Sequence, residues 1–254
     1  MSVIKSFIIA FSMYSRIPMP RVEWKEKDMR YAICFFPLVG VVTGACVWLW
    51  ITFCERMGIN LVCKSLVAAA LPLILTGGIH IDGFMDTSDA LHSYQSRERK
   101  LEILKDSHIG AFAVIMLAGY FLLLTAALSC IGEKTAFLLG ISFFVSRIGS
   151  GLSIVYFKNA KKEGMLYSFS STAHKKTVRL VLILEALACA VLVLGTGSLA
   201  GLFMLVIAAA VFGYYRYRSY GEFGGITGDL AGWFLCICEL AMAVGLAAAE
   251  VVFF

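Results

Sequence analysis

Charge is what this sequence has least of. Asp, Glu, Lys and Arg make up 15% of its 254 residues, where soluble domains carry about 25%. Proline occurs only four times, while apolar residues reach 60% and the mean hydropathy is +0.84. A chain of this length has too little interior to hide so many apolar side chains, so the excess must face lipid and a water-soluble globule is excluded. No polar stretch is long enough for a separate soluble domain. The eight cysteines lack any C-x-x-C spacing, and the close pair Cys236 and Cys238 would project about 200° apart on a helix. They read as small buried apolar residues, with no zinc or disulfide framework. The expected class is all-α: a polytopic integral membrane protein forming one domain over residues 1–254.

Uninterrupted apolar stretches predict spans over Tyr31–Cys54, Leu61–Ile79, Gly110–Ile131 and Ala136–Phe157. A long run from Leu180 to Tyr215 is split in two by the turn Gly195-Thr196-Gly197-Ser198, and Leu230–Ala249 completes about seven transmembrane helices. Residues 1–30 hold Phe7, Ile8, Ile9 and Phe11 but are broken by Lys5, Arg16, Pro18 and Pro20. They suit an interfacial or re-entrant helix rather than a cleavable signal peptide. Of 22 Lys and Arg, 18 fall before Tyr31 or in the alternate loops 80–109, 158–179 and 216–218. The positive-inside rule therefore puts the amino terminus and those loops in the cytoplasm.

Chemistry concentrates in one of these loops. Four of six aspartates lie between positions 82 and 106, which marks 80–109 as a cytoplasmic catalytic loop at a cytoplasmic-face active site. On a helix, Asp82, Asp86 and Asp89 stand at i, i+4 and i+7, within an arc of about 60°. Three like charges on one face call for a cation, and a hard divalent ion with oxygen ligands, Mg²⁺ or Mn²⁺, fits. Nearby Arg97, Arg99, Lys100 and Lys105 could bind the phosphates such an ion shares; equally, they could pair with a solvated acidic face. His80 could serve as general base, orient a carboxylate, or be structural.

The string GGI-x-x-D occurs twice, at Gly77–Asp82 and Gly224–Asp229. The two glycine turns could converge on one site, with Thr227 and Gly228 offering hydroxyl and backbone donors to phosphate, or be alike by chance. Three charges lie inside spans. Arg147 is the candidate phosphate clamp, Glu239 pairs with a cation or lines the cavity, and Glu185 reads as structural or snorkelling.

These residues together resemble the cobalamin synthase family, the adenosylcobinamide-GDP ribazoletransferases. The likeness is carried by FSMYSRIPMP (residues 11–20), Phe36-Pro37-Leu38-Val39-Gly40, TGGIHIDGFMDTSDAL, RERKLEILKDSHIG, Ser146-Arg147, Glu163-Gly164 and the GGITGD segment. It departs at Ala90, His108 and Leu166, none of which removes an aspartate. The resemblance implies transfer of the adenosylcobinamide-phosphate moiety from adenosylcobinamide-GDP to α-ribazole or its 5′-phosphate, releasing GMP, with Mg²⁺. Asp82, Asp86 and Asp89 would hold the metal, Arg147 and Lys105 would neutralise developing charge, and His80 or Asp106 would accept the proton. Arg97, Lys105, Glu163, Thr227, Gly228 and Asp229 would bind substrate. It also implies a multi-pass protein of the bacterial cell (inner) membrane. The partners are its two small-molecule substrates and the bilayer, with no nucleic acid, and with room for a homo-oligomer or docked pathway enzymes.

Two other readings share some features. A CDP-alcohol phosphotransferase also uses aspartates at helical spacing, but its D-x-x-D-G-x-x-A-R pattern is absent because Gly83 directly follows Asp82. A secondary transporter would place its acids near the bilayer midplane and repeat in halves, whereas here the acids cluster at one edge.

Overall fold

A computed structural model describes residues 2–253. In chain order the helices are α1 (Ser2–Tyr14), α2 (Glu26–Met29), α3 (Ala32–Met57), α4 (Leu61–Thr76), α5 (Ile79–His92) and α6 (Arg97–Ile103). They continue with α7 (Ala111–Cys130), α8 (Glu133–Tyr156), α9 (Met165–Thr172), α10 (Lys175–Gly195), α11 (Leu199–Arg218) and α12 (Gly228–Phe253). A π-helical turn, Ser219–Phe223, follows α11. Among the described residues the sole β-type pairing is an isolated parallel bridge between Asn159 and Ile226.

Among the described residues six helices are long and apolar enough to cross a membrane: α3, α7, α8, α10, α11 and α12. The remaining expected span is broken. Gly77 and Gly78 both take left-handed backbone (φ 67° and 82°), which glycine adopts without the steric cost of a β-carbon, and α5 leaves α4 at 97°. Six spans therefore become seven only if α4 and α5 count as one. The segment expected as a catalytic loop is accordingly helical over most of its length, as α5 and α6.

Polar contacts mark the two ends of the bundle. At one, Lys64 is buried against Glu55 (2.6 Å) and the Ile131 carbonyl (2.9 Å), and Arg56 pairs with Glu133. The other end gathers the connections from α5 to α7, α8 to α10 and α11 to α12. There Lys100 meets Glu222 (2.5 Å), Lys105 meets Glu163, and the Ile226 N–H donates to the Lys158 carbonyl (2.8 Å).

Between them the bundle is held mostly by close helix packing. A β-carbon on Gly44 of α3 would sit 1.9 Å from the Gly140 carbonyl oxygen of α8, and one on Gly40 would sit 2.3 Å from that of Phe143. Small residues at such crossings let backbones approach and gain dispersion contacts where lipid supplies no hydrophobic drive. The amino-terminal helix α1 buries Ile9, Ala10 and Phe11 and sets Phe7 edge-on to Phe35 at 5.8 Å. Its exit is tied to the α4–α5 corner, since the Arg16 N–H donates to the Leu75 carbonyl (2.7 Å). All eight cysteines are free; Cys63 and Cys130 are exposed rather than buried, being apolar enough to sit on the outer surface of an apolar bundle.

Candidate active site

Helix α5 is wedged against the first turns of α7 and α12. A β-carbon on Gly83 would lie 2.7 Å from the Asp229 carbonyl oxygen, and one on Gly232 would lie 2.9 Å from that of His80. This glycine-lined crossing brings the two GGI-x-x-D strings together: Asp82 from the first and Asp229 from the second line the same cavity. Asp86, one turn along α5, is half-buried and does not line that cavity, but is near enough to Asp82, Asp229 and Asp89 to feel their charges.

Asp89 is differently employed. Its two carboxylate oxygens accept the N–H groups of Gly110 (2.6 Å) and Ala113 (2.8 Å), which open α7. Gly110 stands at the N-cap of α7 and has no side chain with which to cap it, so Asp89 supplies the acceptor from another helix. The three-carboxylate face expected from sequence is thus reduced to Asp82 and Asp86, with Asp229 arriving from α12. Among the described residues no group of three or more His, Cys, Asp or Glu side chains is placed to hold a metal ion. A caged ion does not fit this arrangement. Mg²⁺ held by one or two carboxylates, with waters and substrate phosphates completing its shell, does.

Two cavities meet at Gly228 and Asp229. The larger, about 470 Å³, is lined by Lys105, Lys161, Glu163, Tyr167, Thr227 and Asp229 among others. Its floor is built by local bonds: Gly225, at φ 156°, lets the chain run against residues 158–160, and the Ala160 N–H donates to the Ile226 carbonyl (2.9 Å). The Thr227 hydroxyl accepts the Leu230 N–H (3.2 Å), capping α12, whose N-terminus favours anions at this point. Lys161 donates to the Leu101 carbonyl (2.8 Å). Burial, and behind it the Lys105 ammonium, push its amine below the usual value. At the rim, Lys105 bonds Glu163 and holds that carboxyl below its usual range. The smaller cavity, about 180 Å³, contains His80 and Asp82 and is walled by Tyr14 and Phe36.

Other candidates stand elsewhere. Arg147 is fully buried, bonded through Nη1 to Glu239, the Ser146 hydroxyl (3.1 Å) and the Phe143 carbonyl (2.9 Å). It lines neither cavity. A guanidinium placed mid-span in a low-dielectric interior must be paired, and here Glu239 is its partner. His80 lies between: it borders both the smaller cavity and a void of about 20 Å³ beside Arg147 and Glu239. Asp106 is exposed and turned to its neighbour, accepting the His108 N–H (3.0 Å), which keeps its carboxyl below the usual value; it lines neither cavity. Arg97 leans over the second glycine turn, its Nη1 3.0 Å from where a Gly224 β-carbon would be. Arg99 and Lys100 are taken up by Glu102 and Glu222.

Sequence reasoning missed Tyr14 and Met13 as wall residues, and Lys161. The FSMYSRIPMP and FPLVG strings were a signal, but nothing in their spacing shows which cavity they enclose.

Residues 6–247 match the cobalamin-5-phosphate synthase family. The chain is 41% identical over 250 residues to the adenosylcobinamide-GDP ribazoletransferase of Lachnoclostridium phytofermentans, covering 98% of this chain and 96% of that protein. It is 34% identical over 245 residues to a protein of the same name from Clostridium botulinum strain Eklund 17B (94% and 95% covered). To that of Desulfitobacterium hafniense it is 32% identical over 242 residues (93% and 94% covered). No solved structure matches the chain.

Proposed function

This chain belongs to the cobalamin-5-phosphate synthase family, and from that premise we propose how its residues divide the work. Its activity is that of an adenosylcobinamide-GDP ribazoletransferase of cobalamin biosynthesis, exercised by a multi-span membrane protein. A ribose hydroxyl that α-ribazole and its 5′-phosphate both keep free attacks the cobinamide-linked phosphorus of adenosylcobinamide-GDP. One P–O bond forms, the pyrophosphate P–O bond breaks, GMP leaves and the hydroxyl proton passes to a base.

The donor's diphosphate lies in the larger cavity, against Lys105, Lys161 and the N-terminus of α12. Asp82 and Asp86, with Asp229 facing them, would hold Mg²⁺ through a partial shell. The ion would supply charge neutralisation on the pyrophosphate and leaving GMP. His80 and Asp82 border the cavity beside the reacting hydroxyl and are the candidate proton acceptors; Asp106, tied to His108, is not. Arg97 and Glu163 frame the entrance, and Thr227 keeps the α12 terminus aimed at the donor. Arg147 with Glu239 holds the bundle behind the site. The end of the bundle bearing this cleft faces the cytoplasm of a bacterial cell, as the distribution of Lys and Arg argues.

The observation that carries this reading is the meeting of Asp82 and Asp229 at one cavity wall in a chain matching the family almost end to end. The test is release of GMP and formation of the joined corrinoid by the detergent-solubilised protein, given adenosylcobinamide-GDP and α-ribazole. Product that disappears on chelation and returns with Mg²⁺ supports the site. Metal-independent product would remove the metal from it, and no product from folded protein would remove the reaction.

A further inference from the structure

The smaller cavity has a composition that sorts the two substrates. Its walls are aromatic and aliphatic. Tyr14 packs on Phe36 with ring centroids 4.2 Å apart and lies nearly parallel to the His80 ring (24°, 6.4 Å), while Ile79, Ile154 and Leu235 close the rest. Its polar lining consists of Tyr14, His80, Asp82, Ser150 and Asp229, and no Lys or Arg lines it. Away from a metal ion at the Asp82–Asp229 wall a diphosphate meets no cation here, so the apolar interior does not suit the nucleotide end of the donor, and a corrin macrocycle is far too large for about 180 Å³. The acceptor has the complementary shape: a flat, apolar bicyclic base on a ribose that carries the reacting hydroxyl.

We propose that this chamber is the acceptor subsite, in which Tyr14 and Phe36 form the wall against which the aromatic base of α-ribazole packs. The base packs against these rings, which favour offset or edge contacts, leaving the ribose at the carboxylate wall where the chamber meets the larger cavity at Gly228 and Asp229. The amino-terminal helix thereby becomes a specificity element: it contributes Met13 and Tyr14, and the Arg16–Leu75 bond holds it against the α4–α5 corner.

This rests on the transferase activity above, and wild-type turnover tests that separately. Steady-state kinetics would compare Tyr14→Leu and Tyr14→Phe, varying each substrate at saturating levels of the other. Tyr14→Leu should raise KM for α-ribazole about tenfold and leave KM for adenosylcobinamide-GDP unchanged, while Tyr14→Phe, which keeps the ring, stays near wild type. Wild type should also prefer the benzimidazole riboside to one with a polar purine base, and Tyr14→Leu should lose much of that preference. If Tyr14→Leu does not yield folded protein, Met13→Ala is read in the same way. A rise confined to the donor KM, an equal rise for both substrates, or no change in either would overturn the assignment. Absence of product from wild type would instead overturn the activity itself.

Discussion

Gly83 of α5 and Asp229 of α12 are in backbone contact, close enough that a β-carbon on Gly83 would fall 2.7 Å from the Asp229 carbonyl oxygen and 2.8 Å from its Cα. That contact sets the relation between two acidic strings lying far apart in the chain. It also makes the site sensitive to a single methyl group.

Gly83→Ala should therefore damage catalysis more than stability. Overpacking of this kind costs about 1–3 kcal/mol, but a shift of α5 on the scale of an ångström lowers turnover by about 10²-fold. GMP release per folded molecule, with folding followed by thermal unfolding in detergent, checks it. Near-wild-type turnover would show that the carboxylates need not hold this spacing.

Asp82→Asn keeps the size and removes the charge at the cavity wall. Metal-dependent turnover should fall by about 10²-fold or more, with membrane insertion and unfolding temperature little changed. Full activity in this variant would sink the role assigned to Asp82.

At Asp89 the expected pattern is different. Asp89→Ala leaves the first-turn N–H groups of α7 without their acceptor and should cost about 1 kcal/mol of stability. Asp89→Asn retains an acceptor oxygen, so it should recover most of that stability and leave the Mg²⁺ concentration for half-maximal activity where it is in wild type. A large increase in the Mg²⁺ requirement of Asp89→Asn would show that the carboxylate binds metal after all.

The Arg147–Glu239 pair should show strong coupling. Removing one partner strands a buried charge, at about 3–5 kcal/mol; Arg147→Leu alone is therefore expected to destabilise severely, and the double variant with Glu239→Leu to regain much of the loss. Unfolding of the two single variants and the double variant in detergent measures the coupling, and simple additivity would refute it.

Spans and their order were legible because the period and length of apolar runs depend only on local sequence and bilayer thickness. The Gly195–Ser198 break falls where α10 ends and α11 begins. The helical spacing of the aspartates also survives, for 3.6-residue periodicity is local. What local periodicity could not reveal was the employment of each side chain: Asp89 shares the face of Asp82 and Asp86 yet is drawn to α7, because Gly110 has no cap of its own. Arg147 and Glu239 were recognisable as costly charges inside spans, but sequence left open whether each met the other or a ligand.

From the sequence alone came the membrane class, the family and a set of acidic and basic residues rich enough to support phosphoryl transfer. All of these follow from composition, periodicity and ordered motifs. Tertiary structure alone decided that α5 turns through 97° at Gly77–Gly78 to meet α12, that two acidic strings face one cavity, and that Tyr14 walls it. The physical reason is that such contacts join residues from about twenty to more than a hundred positions apart, where tertiary packing, rather than local preference, selects the neighbours.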